Sequence, residues 1–221
     1  MALTFPREFP AWLRATSCRI RPSRIQALSR SRGGTVQVAE RGRTLMTFEA
    51  TFPAMRRDRH AEIEAWIDSL RDGLNTFRAH HLLRCRPLAY PGTGWAGFTK
   101  GNGGGAFTGA NAVIGSSPNP YTAVLGDLPG FFVLSPGDMI SWAWKSTRTI
   151  HRIVEGGTAD NVGTLAVQVE PDIPPGNSLA YPLALKVERA DAIWRLVPPY
   201  PDLSEEALGQ PVTIRAVQVL F

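Results

Sequence analysis

Cysteine is nearly absent from this chain. Its 221 residues hold two, Cys18 and Cys85, neither with a second Cys or a His at metal-ligand spacing. That spacing offers no disulfide framework and no zinc site, so reduced thiols are expected. Long apolar runs are missing as well. No 18-residue apolar window occurs, and the opening MALTFPREFP is too charged and proline-rich for a signal peptide. A soluble, non-exported protein is expected, with no membrane among its partners. Catalytic constellations are equally scarce. His60, His80, His81 and His151 stand without ligand-spaced partners, and no GxSxG elbow occurs. Asp138, Asp160 and Asp172 lie in turns, where Asp has backbone reasons to be. The formal GxGxxG at 92–97 follows a proline and opens no helix, and the glycines at 101–105 lack the Lys-Ser/Thr of a phosphate loop. No catalytic, cofactor or metal residue is expected, and the chain reads as a non-enzyme.

Glycine and proline, by contrast, are plentiful, at 21 and 18, and are spread over many turns. Such punctuation favours short strands over helices. One segment alone has helical periodicity, through Ile63, Trp66, Ile67, Leu70 and Leu74, with Asp58 as candidate N-cap and Gly73 as candidate stop. Before it, TLMTFEATF alternates, with Met46, Phe48, Ala50 and Phe52 on one face. After it, residues 75–83 read as a second strand. A helix laid across a sheet is expected. The run Glu40-Arg41-Gly42-Arg43 reads as a hairpin turn feeding the strand of Phe48. The first 34 residues read as an arm, with Phe5, Phe9 and Trp12 as apolar anchors on the body or on a neighbouring subunit.

Beyond a stretch with nine glycines between Pro91 and Pro120, MISWAWK, RTIHRIVE, TLAVQVEP, LALKV and AIWRLV read as strands. Five such strands with tight turns suit a small barrel of the OB kind. The closing PVTIRAVQVLF alternates again and needs a sheet to complete. The fold class is therefore mainly β with one principal helix (α+β). We expect a β-sandwich unit with a packed helix over 1–90, completed by 200–221. Residues 91–199 are expected to be a glycine-rich loop followed by an OB-like barrel. A barrel of that kind also gives a binding alternative, for a glycan or single-stranded nucleic acid, with Trp142, Trp144 and Trp194 as stacking candidates.

Charge is uneven. Residues 1–59 hold twelve Arg against four acids, a balance of +8, so the remainder of the +5 chain carries −3. A subunit-facing surface is the better reading. A nucleic-acid arm would interleave aromatics and lysines.

Two stretches resemble a known family. QVAERGRTLMTFEATFPAMRRDRHAEIEAWIDSLRDGLNTFRAH is similar to the N-terminal domain of tailed-phage (siphophage-like) distal tail and minor tail proteins. Its turn, Leu70-Arg71-Asp72-Gly73-Leu74-Asn75-Thr76-Phe77, matches the family's turn between helix and strand. LSPGDMISW…RTIHRIVEGGTADNVGTLAVQVEPDIPPG is similar to the barrel domain such proteins append. The resemblance implies a structural virion protein, assembled in the host cytoplasm, that forms a hexameric ring at the tail tip. The ring would join the tail tube protein to the hub or baseplate protein. Tape-measure protein, and later DNA in transit, would occupy its lumen. In the family the barrel decorates the tail exterior, so host attachment is a secondary expectation. A cyclic ring needs two different patches per subunit. Phe5, Phe9, Trp12, Arg41 and Arg43 are the candidates for them.

Overall fold

The computed structural model describes residues 3–92, 94–174, 181–203 and 209–220. Thr93 of the GxGxxG run, Pro175 and Gly176 at the end of the stretch similar to the family's barrel domain, and Phe221 of the closing PVTIRAVQVLF lie outside them. The fold is mainly β with a single helix among the described residues.

The strand at its centre is β5 (Leu45–Phe52), whose every second residue is buried: Met46, Phe48, Ala50 and Phe52. An apolar face of this kind has to be covered, and α1 (Arg57–Asp68) covers it with Ile63, Trp66 and Ile67. Trp66 meets Phe77 edge-on, with ring centroids 5.3 Å apart. Around β5 a six-stranded sheet is built from β1 (Arg7–Glu8), β2 (Ser17–Ser23), β6 (Phe77–His80), β15 (Asp191–Leu196) and β16 (Val212–Gln218). Its order is β1-β6-β15-β16-β5-β2. All neighbours run antiparallel except β1 and β6. One sheet with a helix on it stands where two facing sheets were expected.

Two details of the helix differ from the sequence reading. Arg56, not Asp58, occupies the N-cap position and makes no side-chain cap, while Asp58 sits inside the first turn. There its charge still complements the N-terminal dipole. Leu74 falls past the helix and is exposed, because the chain leaves helical geometry at Arg71 and Asp72, both at positive φ. Gly73 follows at φ +82°, and a Cβ there would lie 2.5 Å from the Leu196 carbonyl oxygen, so only glycine fits.

The second body is a closed barrel of β7 (Ala112–Asn119), β8 (Thr122–Gly126), β10 (Met139–Trp144), β11 (Thr147–Glu155), β13 (Leu165–Glu170) and β14 (Leu183–Lys186). The strands close in the order β10-β11-β13-β8-β7-β14, antiparallel throughout. That is one strand more than the five of an OB fold. A short pair, β9 (Val133–Leu134) with β12 (Gly157–Thr158), flanks it. AIWRLV, expected in the barrel, is β15 of the sheet, wedged between β6 and β16. The barrel strands therefore lie in sequence between two sheet neighbours, β6 and β15.

The glycine-rich stretch packs against the barrel core instead of looping away. Trp95 and Phe107 from it join Phe132, Ile140, Trp142 and Val167 in one buried cluster. Tyr90, just before it, stacks on Phe132 at 4.4 Å. The two bodies also share a core. Met139 and Ile150, from barrel strands, are buried with the sheet residues around Phe48 and Trp194.

Candidate functional site

The outstanding surface feature is a ribbon. Among the described residues β3 (Gln26–Arg30) and β4 (Val36–Glu40) pair only with each other, turning over residues 31–35. Leu28 stands opposite Val38, and Arg30 opposite Val36. These apolar side chains face open space, with Leu28 70%, Val38 55% and Val36 51% exposed. An isolated two-stranded ribbon is at best marginally stable in water. An apolar one with two free edges is a template for another chain. β3 lies within the first 34 residues, which the sequence presents as an arm. The signal was there, in the Ser-Arg-Gly-Gly turn between two short runs.

The five interface candidates differ in their surroundings. Arg41 and Arg43 were expected at a hairpin tip but stand at the base of the ribbon, because the hairpin is β3–β4 and not β4–β5. The Arg41 amide donates to the Ile25 carbonyl at 2.8 Å. Arg43 donates to Asp172 at 3.2 Å and so ties the base of the ribbon to the segment after β13. Phe9 is an internal anchor. Its ring lies 5.3 Å from Trp66 and 5.8 Å from Phe52, within the chain's own aromatic cluster. Trp12 is half-buried, with the Arg59 guanidinium 4.8 Å over its ring. Of the three aromatic candidates only Phe5 is exposed, at 39%, and Arg41 is exposed as well.

The stacking candidates are all buried, which overturns that assignment. Trp194 is fully enclosed in the sheet core, and its indole N–H donates to the Ala79 carbonyl at 2.8 Å. Trp142 points into the barrel and stacks flat on His151 at 4.3 Å. Trp144 is buried at the end of the same strand. A ring with no exposed face cannot stack on a base or a sugar.

His151 is fully buried. Its Nδ1 lies 2.8 Å from the Pro171 carbonyl and its Nε2 2.8 Å from the Thr149 hydroxyl. A carbonyl can only accept, so Nδ1 carries the proton and Nε2 accepts from Thr149. Gln218 donates in turn to Thr149 at 3.4 Å, and its side-chain oxygen accepts the Met46 amide at 3.3 Å. This chain fastens barrel to sheet. His81 uses its Nδ1 to accept the Leu83 and Arg84 amides at 3.3 and 3.0 Å, closing a turn. Both cysteines are free thiols, and burial pushes Cys18 up to about 11. Among the described residues no group of three or more His, Cys, Asp or Glu could hold a metal ion. Among the same residues no helix is long and apolar enough to cross a membrane.

No protein-family model matches this chain, and no curated protein matches it.

Proposed function

We propose that this chain is a ring-forming structural protein of a phage-like tail tip, joining the tail tube to the hub or baseplate. The observation that carries the reading is the apolar ribbon β3–β4, which is exposed and pairs with nothing else among the described residues. A neighbouring subunit that received the ribbon would bury Leu28, Val36 and Val38 and complete a heterologous, ring-closing contact. The sheet's outer strands, β1 and β2, supply further unpaired edges. The arginine surplus of residues 1–59 against the net negative remainder supplies charge complementarity between unlike patches. An obligate contact of this kind should bury on the order of 1,600 Å² or more. The hexameric count, the tube, hub and tape-measure partners and the virion location come from the family resemblance of residues 37–80 and 134–176. A ligand-binding role for the barrel draws no support from its tryptophans, which are buried.

The test is sedimentation of the wild type beside a Leu28→Lys/Val38→Lys double variant. Both residues are solvent-exposed, so the fold should survive the change. The reading expects a discrete oligomer that the variant reduces to a monomer. Identical sedimentation of two oligomers would remove the ribbon from the contact. A wild type that stays monomeric at every concentration, on its own and with tail tube protein, would remove the ring.

A further inference from the structure

A cleft of about 850 Å³ opens between the N-terminal arm, β6 with its following turn, and the β14–β15 connection. Its size lies within the range of small-molecule sites. Phe9, Leu13, Ala79 and Leu82 give it apolar walls, and its charged lining is four cations against two carboxylates. Two of the cations are engaged. Arg78 donates to Glu8 at 3.2 Å, and Lys186 lies 3.1 Å from Asp191 Oδ1. The other two, Arg14 and Arg189, make no ion pair among the described residues.

Arg189 is held in an unusual way. Its φ is +46°, in the left-handed region that a bulky side chain rarely adopts, and its amide is fixed on the Cys85 carbonyl at 2.6 Å. Strained residues of this sort gather at ligand sites. Asp191 adds a second irregularity. It is 4% exposed, and Oδ1 takes Arg148 Nε at 2.9 Å, yet Oδ2 accepts no hydrogen bond. Oδ2 has only Arg78 Nε at 3.6 Å, and that nitrogen is likewise unpartnered. Buried polar atoms left this way are uncommon and call for a partner.

We infer that this cleft binds a small organic molecule bearing an oxyanion, phosphate or carboxylate, together with a hydroxyl or amine donor. The oxyanion engages the guanidinium groups of Arg14 and Arg189, whose planar forks match such groups. The donor satisfies Asp191 Oδ2, and the apolar walls cover the carbon frame. The inference stands apart from the ring reading, since it needs only the single chain.

The test is calorimetric titration of the full chain at constant ionic strength with glycerol 1-phosphate, glucuronate, glycerol and glucose. Saturable one-site binding of either anion supports the site, and the better binder names the oxyanion. His80 lines the cleft and is held below its ordinary pKa by burial first and Arg189 second. A bound anion should raise the His80 pKa, read from its ring resonance. Arg14→Gln and Arg189→Gln change exposed side chains, so each should keep the wild-type melting temperature while weakening binding about tenfold. Absence of saturation by both anions would overturn the inference. So would equal binding of the uncharged compounds, or undiminished affinity in the Arg14→Gln/Arg189→Gln double variant.

Discussion

At His151 burial decides the protonation state. Enclosed on all sides, it is pushed down to about 3 by desolvation, only partly offset by its bond to the Pro171 carbonyl. His81 is pushed down to about 4, again mainly by burial. The unfolded chain titrates these imidazoles near their ordinary 6.5, so between the two values it binds more protons than the folded chain. Stability is then complete above about pH 6.5 and falls as pH drops through 6 and 5 towards 3. For His151 alone the loss approaches about 5 kcal/mol at the acid end. Urea midpoints at pH 8, 6 and 4 should decline in that order, and His151→Asn should flatten the slope while lowering the pH 8 midpoint. An unchanged slope in the variant would contradict the account. Phe9 carries a second prediction. Its ring touches four other aromatics, so Phe9→Ala should cost about 2–4 kcal/mol in the isolated chain, measured by urea unfolding. A loss of assembly with unchanged stability would return Phe9 to the interface. The sequence offered Phe9 and the three tryptophans only as large apolar groups. Alternation puts Trp142 on the same face as Ile140 but does not say whether that face meets a core or a ligand.

Among the elements, the legible ones were those whose two faces differ strongly. In β5 every second residue is apolar, in β16 Val212, Ile214 and Ala216 alternate up to the polar Gln218, and in α1 the apolar residues recur at helical spacing, so the period could be read directly, though not the ends of α1. β2 and β3 were illegible because their alternation is written mostly in Arg and Ser. In β2 only Ile20 is fully buried, and in β3 nothing is. β15 was recognised as a strand and assigned to the wrong body. Local alternation fixes which face is buried, while the sheet a strand joins depends on distant pairing, here with Phe77 and Gln218. The helix ends at Asp68, earlier than the stop expected at Gly73, but the turn that Gly73 makes was readable because it rests on one backbone requirement. Gly73→Ala must both hold φ +82° and clear the Leu196 carbonyl at 2.5 Å. A loss of about 2–3 kcal/mol is expected in thermal or urea unfolding, against a few tenths for Gly92, which is exposed, at ordinary φ and clear of any neighbour. Equal effects at the two positions would mean that the α1–β6 turn can move away from β15.

For the molecule as a whole, sheet and barrel are joined by a shared apolar contact and a buried polar chain, from Met46 through Gln218 and Thr149 to His151. Among the described residues the body so formed leaves the ribbon β3–β4 without a further sheet partner. If the ribbon is held by a neighbour, its amides should exchange slowly in the assembly and within seconds in the Leu28→Lys/Val38→Lys monomer, as judged by hydrogen exchange. The candidate site was half legible. The charge surplus of residues 1–59 marked the region, while the ribbon's free standing is a property of the fold and has no local code. The most direct measurement is negative-stain microscopy with native mass spectrometry on the wild-type protein. The account predicts closed rings with an open channel and a single oligomer mass. Monomers whose ribbon amides are already protected from exchange would contradict it.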